Sequence, residues 1–267
     1  MTDLAFLQTR WRVRALLVSN LAAFALLATW RWAPMRALWD RLDVVVFHLL
    51  NAPLAGNPTW AGFWGVCNMR PVDIVFGLVM LAFLARGGWI IPRGRGLQSL
   101  YAFVVVLVLL LLIRAGPLNE AMKAFNWQRA SPSLTEEGAV RLVSLFPAWE
   151  RDWHMKDASI RSFPGDHASV LIAWALLLSY AARGWHLWLV WAFAALFMLP
   201  RLVSGAHWLS DDLVGGVFVA LMAVGWGTCT PLAARVSAML ERLSTAFLRR
   251  FAPFLGLRRG EDHPDAG

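Results

Sequence analysis

The chain has 267 residues, of which 58% are hydrophobic and only 16% are charged, and its mean hydropathy is +0.53. These proportions exclude an ordinary soluble domain, because too few polar side chains remain to cover a surface in water, and two cysteines exclude a disulfide-rich secreted module. In so apolar a chain, the net charge of +8 fits attraction to anionic headgroups or phosphate-bearing lipids and not nucleic-acid binding.

The first apolar run predicts a membrane span that is not cleaved. Residues 13–30 follow three arginines between positions 10 and 14, an arrangement that also begins a secretory signal sequence. The run ends in Trp-Arg-Trp at 30–32, where a signal peptidase requires small side chains. We therefore expect this segment to remain as the first span.

The segment after the first span has the pattern of an amphipathic helix. Apolar residues recur at helical spacing over 38–50, opposite the charged residues Arg36, Asp40, Arg41 and Asp43. We predict a helix that lies flat on the membrane surface.

Five further apolar runs complete a prediction of six transmembrane helices. They cover residues 72–85, 97–113, 168–182, 185–199 and 213–229. A spanning helix needs about 20 apolar residues, so the second and fourth spans must tilt or include flanking residues. The predicted fold class is an all-α integral membrane protein, with interfacial amphipathic helices beside the six spans.

The chain beyond the last span predicts a second surface helix. Apolar positions from 236 to 251 alternate with arginines, and a polar tail begins at Gly260. We expect a membrane domain over 1–231, followed by a cytoplasmic basic helix and tail over 232–267.

Arginines in short loops predict the orientation. The segments 10–14 and 86–95, together with Arg183, favour a cytoplasmic amino terminus. The end of span three, the start of span four, the end of span five and the start of span six then share the outer face.

Four polar clusters stand at those four points. They are residues 123–132, residues 162–169, residues 200–207, and the pair Asp211 and Asp212. Ionisable residues at membrane spans are costly and usually functional. Two histidines, two arginines, a lysine and several acids on one face indicate phosphate chemistry.

Phosphoryl transfer through a covalent intermediate needs a nucleophile, a carboxylate that fixes its tautomer, and a proton donor. His207 and Asp211 are four residues apart, so the carboxylate can hold one imidazole nitrogen while the other attacks phosphorus. His167, at the mouth of span four, is the predicted general acid.

The same clusters supply groups for binding phosphate. Arg129 and Arg201 are suited to bidentate contacts with phosphoryl oxygens, and the backbone at Gly165 and the start of the following helix can direct N–H groups at an anion. These arginines would supply the charge neutralisation, so no metal or other cofactor is expected.

Three further charged residues, Lys123, Asp166 and Asp212, lie in or beside these clusters. Lys123 is a phosphate ligand or an ordinary interfacial cation. Asp166 would repel a phosphate, so it either orients an arginine or accepts a hydrogen bond from the substrate's sugar, or it caps span four. Asp212 is interpreted as a solvated neighbour of Asp211.

These residues resemble the type 2 phosphatidic acid phosphatase (PAP2) superfamily, whose motifs are written K-x6-R-P, P-S-G-H and S-R-x5-H-x3-D. Arg201, His207 and Asp211 fit the third motif, with Pro200 in place of Ser. The resemblance implies a PAP2-type helix bundle with His207 as the nucleophile.

The other two motifs depart from the family pattern. Pro-Gly-Asp-His at 164–167 replaces the second motif, and Lys123 precedes Arg129 by five intervening residues instead of six. Pro132 follows Arg129 two residues late.

The departures are similar to one branch of the superfamily, the lipid A 1-diphosphate synthases of Gram-negative inner membranes. The matching strings are R-A-S-P-S-L-T at 129–135, K-D-A-S at 156–159, S-F-P-G-D-H at 162–167 and P-R-L-V-S-G-A-H-W-L-S-D at 200–211. The resemblance implies transfer of the terminal phosphate of undecaprenyl diphosphate to lipid A 1-phosphate at the periplasmic face. The implied partners are these lipids and the membrane.

Two alternatives remain open. A hydrolase would use the same residues with water as acceptor, acting on undecaprenyl diphosphate or another lipid phosphate. A phospholipid-binding membrane protein without catalysis would need the cations, but it has no use for two histidines and an orienting acid.

Overall fold

The computed structural model describes residues 4–251, and this part of the chain is helical, with no β-strand. The helices are α1 (Val13–Arg31), α2 (Ala33–Asn51), α3 (Pro58–Cys67), α4 (Arg70–Ala85), α5 (Gly96–Ile113), α6 (Asn119–Ala124), α7 (Pro132–Thr135), α8 (Leu142–Leu145), α9 (Pro147–Trp153), α10 (Asp166–Ser179), α11 (Trp185–Val203), α12 (Val217–Thr228) and α13 (Leu232–Phe251). Two π-helical turns, Arg114–Leu118 and Asp211–Gly216, follow α5 and precede α12. The predicted all-α class is confirmed.

Several of the helices can cross a membrane. Within residues 4–251, four segments are long and apolar enough, namely Val13–Arg31, Gly96–Ala124, Trp185–Val203 and Asp211–Thr228. A fifth is the pair α3 and α4, which are bent by 56° relative to each other. The predicted fourth span, 168–182, corresponds to α10, which has only 14 residues. The structure therefore has several apolar helices that could cross a membrane, but it does not confirm the count of six.

The short α10 lies inside the bundle, where it packs against α5, α11 and α12. Trp174 on α10 is fully buried and donates its indole N–H to the Met80 carbonyl at 3.1 Å. Ala173 and Ala175 beside it are also fully buried, and such small residues let neighbouring helices approach closely. Because protein surrounds α10, its ends can contact other helices and loops, where buried polar groups find partners.

The outer surface of the bundle is strongly apolar. Val18, Leu21, Leu78 and Leu112 are 66%, 68%, 60% and 62% exposed. Large apolar surfaces of this kind mark contact with lipid or with another protein. Such a surface is suited to contact with the lipid of a membrane.

The first amphipathic segment forms α2, but one of its charged residues is not on the surface. Arg36 pairs with Asp40 at 2.7 Å on the accessible side of the helix. Asp43, in contrast, is only 1% exposed and contacts Arg129 and Ser210. The expectation that Asp43 lies with the other charges on the solvated side was wrong, because Arg129, in the loop before α7, and Ser210, in the loop after α11, cover it.

The second amphipathic segment forms α13, which packs against α5. The Gln98 side-chain amide on α5 donates to Glu241 Oε2 on α13 at 2.7 Å. Leu243 and Phe247 are exposed on the other side of α13. The predicted polar tail from Gly260 lies outside the described residues.

The polar stretch between α5 and α10 folds back over the ends of α2 and α11. The Asn51 side-chain amide donates to the Val140 and Val203 carbonyls at 3.1 and 2.9 Å. Ser133, with Glu136 three residues later and apolar residues beyond, has the pattern of a capping box that opens one helix. The structure instead has two separate short helices, α7 and α8. Ser133 Oγ donates to the Asp157 carbonyl at 2.6 Å, so it ties two loops together and does not cap a helix.

Candidate active site

Two histidines from distant parts of the sequence meet at one carboxylate. His167 is the second residue of α10, and His207 lies in the turn between α11 and the π-helical turn Asp211–Gly216. Asp166 Oδ1 lies 2.9 Å from His167 Nδ1 and 3.1 Å from His207 Nε2. The clusters at 162–169 and 200–207 thus form one site.

His207 is fixed by a backbone carbonyl. Its Nδ1–H donates to the Ser162 carbonyl oxygen at 2.9 Å, whereas Asp211 Oδ2 is 3.7 Å from the same nitrogen. The expectation that Asp211 directly holds the ring therefore differs from the structure, in which the loop before α10 passes closer. Because a carbonyl only accepts, Nδ1 keeps its proton and Nε2 is the nitrogen that faces the site.

Burial by itself would lower the pKa of His207, because a charged ring is poorly solvated in the interior. The hydrogen bond to Asp166 and the nearby Asp211 carboxylate outweigh burial and raise the pKa to about 10. At neutral pH the ring is therefore protonated on both nitrogens. It becomes a nucleophile only when the Nε2 proton has left and Asp166 no longer covers that nitrogen.

Asp211 is one of two buried carboxylates held by Arg129. Arg129 donates from Nη2 and Nε to Asp211 Oδ1 at 2.8 and 3.0 Å, and from Nη1 to Asp43 Oδ2 at 2.9 Å. Asp43 also accepts from the Ser210 backbone N–H at 2.7 Å, and Asp211 from the Trp208 N–H at 2.8 Å. These bonds fix the turn that carries His207.

Burial shifts the pKa values in this cluster. Burial raises the pKa of Asp43, although Arg129 opposes the shift. Burial would lower the pKa of Arg129, but Asp211 and Asp43 outweigh it and raise the pKa above its usual value. The guanidinium thus stays charged and compensates two carboxylates that have little access to water.

Arg129, predicted from the sequence as a phosphate ligand, is largely engaged inside the protein. A further N–H donates to Ser210 Oγ at 2.6 Å, so four of its five N–H groups have partners. A bidentate phosphate contact would require one of these bonds to break. The phosphate contact of Arg129 stays a prediction, while its role as charge partner of Asp43 and Asp211 is a feature of the structure.

Arg201 is 4% exposed and lies against His167. Its Nη2 donates to Asp73 Oδ2 at 2.7 Å and lies 3.2 Å from His167 Nε2, and its Nη1 donates to Asn68 Oδ1 at 3.1 Å and to the Lys156 carbonyl at 3.0 Å. Asp73 Oδ2 is also 3.4 Å from His167 Nε2, so it can accept a proton on that nitrogen, while Nδ1 faces Asp166 and the site.

Sequence reasoning assigned no role at the site to Asp73, Asn68 and Asp43, which position the two arginines. Asp73 lies in the predicted span 72–85, and an ionisable residue within a span is itself a functional signal. Asn68 stands between two helices, where an amide commonly serves as a cap. The amphipathic pattern by itself assigns Asp43 to the polar side of α2 and gives it no partner.

The Asp166 carboxylate shows where an anion fits. Its Oδ1 accepts from both histidine rings and from the His167 backbone N–H, the last at 2.9 Å. That N–H belongs to the first turn of α10, where the helix dipole favours negative charge. A phosphoryl oxygen could take the same three contacts once the Asp166 side chain turns away.

Gly165, predicted to direct its N–H at an anion, uses that group inside the protein. It donates to the Asp211 carbonyl at 2.9 Å. A Cβ at this position would overlap Asp212 Oδ1, so close packing requires glycine here. Asp212 is only 2% exposed, and the interpretation of it as a solvated residue was wrong, because the loop containing Gly165 covers it.

Lys123 lies away from the histidines on α6. Its Nζ is 2.8 Å from Glu120 Oε1, and both side chains are more than half exposed. Among residues 4–251, Glu120 is the acidic residue with which Lys123 forms an ion pair. The contact fits the interfacial interpretation, and a phosphate contact of Lys123 stays a prediction.

The comparisons with known proteins agree with this geometry. Residues 100–235 match the PAP2 superfamily. The chain is 28% identical over 229 residues to lipid A 1-diphosphate synthase of Escherichia coli (strain K12), covering 84% of this chain and 90% of that protein. No solved structure matches significantly. The family match covers half of the chain and includes His167, Arg201, His207 and Asp211, so the chain belongs to the PAP2 superfamily and is a phosphotransferase or phosphatase.

Proposed function

We propose that the enzyme moves the terminal phosphate of undecaprenyl diphosphate to lipid A 1-phosphate, through a phosphohistidine at His207. The products are lipid A 1-diphosphate and undecaprenyl phosphate. The observation that carries the proposal is the geometry of His207, whose Nδ1 is tied to Ser162 while its Nε2 faces an anion position shared with His167. The choice of lipids is supported by the similarity to the synthase of Escherichia coli.

In the first step, His207 Nε2 attacks the terminal phosphorus and the bond from phosphorus to the bridging oxygen breaks. His167, as the imidazolium, gives its Nδ1 proton to the departing lipid phosphate and is left neutral, with its remaining proton on Nε2. In the second step, an oxygen of the acceptor phosphate attacks the phosphohistidine and the N–P bond breaks. Asp73 Oδ2, 3.4 Å from His167 Nε2, can hold the remaining ring proton, so the donated proton comes from Nδ1, which faces the site.

Asp166 is expected to set the pH dependence of this reaction. The attacking form of His207 lacks the Nε2 proton, and its pKa of about 10 means that kcat/KM of the wild type rises with pH up to that region. In Asp166→Asn, a negative charge beside the ring is lost, the protonated ring is less stable, and its pKa falls. The rise should move to lower pH by about one unit or more.

The measurement is kcat/KM against pH for the wild type and for Asp166→Asn. Asp152→Asn serves as the matched control, because Asp152 pairs with exposed Arg151 outside the site. An unchanged rise in Asp166→Asn would show that Asp166 does not control the titration of His207.

We propose the inner membrane as the location, with the site at the periplasmic face and α10 as the fourth of six spanning helices. The short arginine-rich loops support this orientation. In this arrangement residues 1–231 form the membrane domain, and residues 232–267 lie on the cytoplasmic side.

A hydrolase is the second candidate, because the family as a whole is described by phosphatase chemistry. Water would replace the acceptor in the second step, and the positions of His167 and His207 suit both reactions. The product of the reaction therefore has to show whether the acceptor is water or lipid A 1-phosphate.

The deciding experiment is mass spectrometry of lipid A from cells with the gene, without it, and with the His207→Ala variant. The proposal predicts an added phosphate on lipid A only with the wild-type gene. Unmodified lipid A, together with inorganic phosphate released from undecaprenyl diphosphate by purified protein, would identify a hydrolase instead. If neither product forms, the enzyme does not act on these lipids.

A further inference from the structure

A cavity of about 280 Å³ opens beside the histidines, between α4, α5, α10 and α11. One end is polar and contains Asp73, Arg114, Asp166 and His167. The rest is apolar and is lined by Phe76, Met80, Leu110, Leu111, Leu171 and Phe197. A pocket with this division suits an amphiphile whose charged end meets the histidines and whose apolar chain runs between the helices.

Arg114 differs from the other two arginines of the site because its donors are not engaged. It begins the π-helical turn after α5 and its side chain is 34% exposed. Its Nη2 is 3.9 Å from Asp166 Oδ2, too far for a direct hydrogen bond. Among residues 4–251 the structure gives it no hydrogen bond, whereas Arg129 and Arg201 are held by carboxylates.

The Asp166 carboxylate also shows how an extended anion would lie. Its Oδ1 contacts the two histidines, and its Oδ2 is directed toward Arg114. An anion that displaces this carboxylate therefore finds the histidines at one end and a cation with free donors at the other. A diphosphate has two linked phosphates with which to occupy both places.

We propose that Arg114 binds the lipid-linked phosphate of a lipid diphosphate, while the terminal phosphate lies between His167 and His207. The inference rests on the proposed function and specifies its donor. When the bridging P–O bond breaks, negative charge builds up on the lipid-linked phosphate, which is where Arg114 would stabilise it. A lipid monophosphate would leave Arg114 without a partner, so the arginine favours diphosphates over monophosphates.

The test compares two small probes, methylphosphonate and methylenediphosphonate, which carry one and two phosphonate groups. Their P–C bonds are not cleaved by phosphate transfer, so binding is measured without turnover. The dissociation constants are obtained by calorimetry on the purified full-length protein in detergent. The variants are Arg114→Gln, Arg114→Lys and the control Arg86→Gln. Arg86 follows the last residue of α4, whereas Asp73 of the cavity lies near the start of that helix. The Arg86 guanidinium lies over the ring of Trp89.

The wild type and Arg86→Gln are expected to bind methylenediphosphonate at least about 10-fold more tightly than methylphosphonate, since a charged hydrogen bond is lost with the smaller probe. Arg114→Gln should lose this preference while its affinity for methylphosphonate changes less than about 3-fold, and Arg114→Lys should keep part of it. Unchanged binding of methylphosphonate also shows that the variant is folded.

A wild type that binds both probes equally, or a preference that survives in Arg114→Gln, would overturn the Arg114 site alone. Failure of the wild type to bind either probe would overturn the anion position between the histidines, on which the proposed function also depends.

Discussion

Replacing His207 with alanine is expected to lower phosphate transfer from the lipid diphosphate at least about 10⁴-fold, because the attacking nitrogen is removed. In the proposed mechanism the other groups of the site bind and protonate the substrate, but they cannot form the covalent bond. The variant should still insert and fold, since the Ser162 carbonyl is the backbone group that loses its partner. The rate is measured as release of lipid monophosphate by purified protein.

The control is His186→Ala. His186 stacks on Trp185 with 4.1 Å between ring centroids at the start of α11, the end of that helix opposite Arg201. This variant should keep the wild-type rate within about 3-fold. Turnover by His207→Ala at the wild-type rate would assign the nucleophile to another group.

Replacing Arg129 with alanine is expected to lower the free energy of unfolding by about 3–5 kcal/mol. The reason is that Asp43 and Asp211, which are 1% and 0% exposed, would lose their shared cation inside the protein. Removing one partner of a buried ion pair leaves an uncompensated charge and destabilises by this order. Thermal unfolding in detergent, with denaturant curves where unfolding is reversible, measures the change.

A second substitution separates charge compensation from simple loss of packing. Arg129→Ala combined with Asp43→Asn should recover part of the lost stability, because one of the two unpaired carboxylates is then neutral. Arg151→Ala, which removes an exposed arginine paired with Asp152, should change stability by less than about 0.5 kcal/mol. If Arg129→Ala loses activity but no stability, Arg129 serves the substrate instead of the fold, as the sequence alone predicts.

The residues whose types and spacing form a motif could be identified from the sequence. Arg201 and His207 lie in one segment, and His167 follows a Pro-Gly turn at the start of an apolar helix, so their residue types and order indicate phosphate chemistry without a structure. The order of the six predicted spans also places these segments on the same side of the membrane. The structure brings them together at Asp166.

The contacts that orient these residues could not be found in the same way. The partner of His207 Nδ1 is the Ser162 carbonyl, and a backbone carbonyl has no residue type that a pattern can reveal. Asp43 and Asp73 become partners of Arg129 and Arg201 only through the packing of α2 and α4 against the site. Helical periodicity assigns Asp43 to a polar side, but it does not show that loops cover that side.

The number of spans was difficult for a related physical reason. Hydropathy measures whether a segment tolerates lipid, but α10 lies largely within the protein and is shorter than a helix that must cross the bilayer by itself. The bend between α3 and α4 likewise divides one apolar region into two shorter helices, where Pro71 opens the second helix.

The most direct test of a covalent mechanism is to trap the phosphorylated enzyme. Purified protein is mixed with undecaprenyl diphosphate radiolabelled in the terminal phosphate, without acceptor, quenched in alkali to preserve phosphohistidine, and digested for mass spectrometry. We predict a label on the peptide that contains His207, lost when lipid A 1-phosphate is added and absent from His207→Ala. Continued turnover without a covalent label, or a label on another residue, would contradict the account.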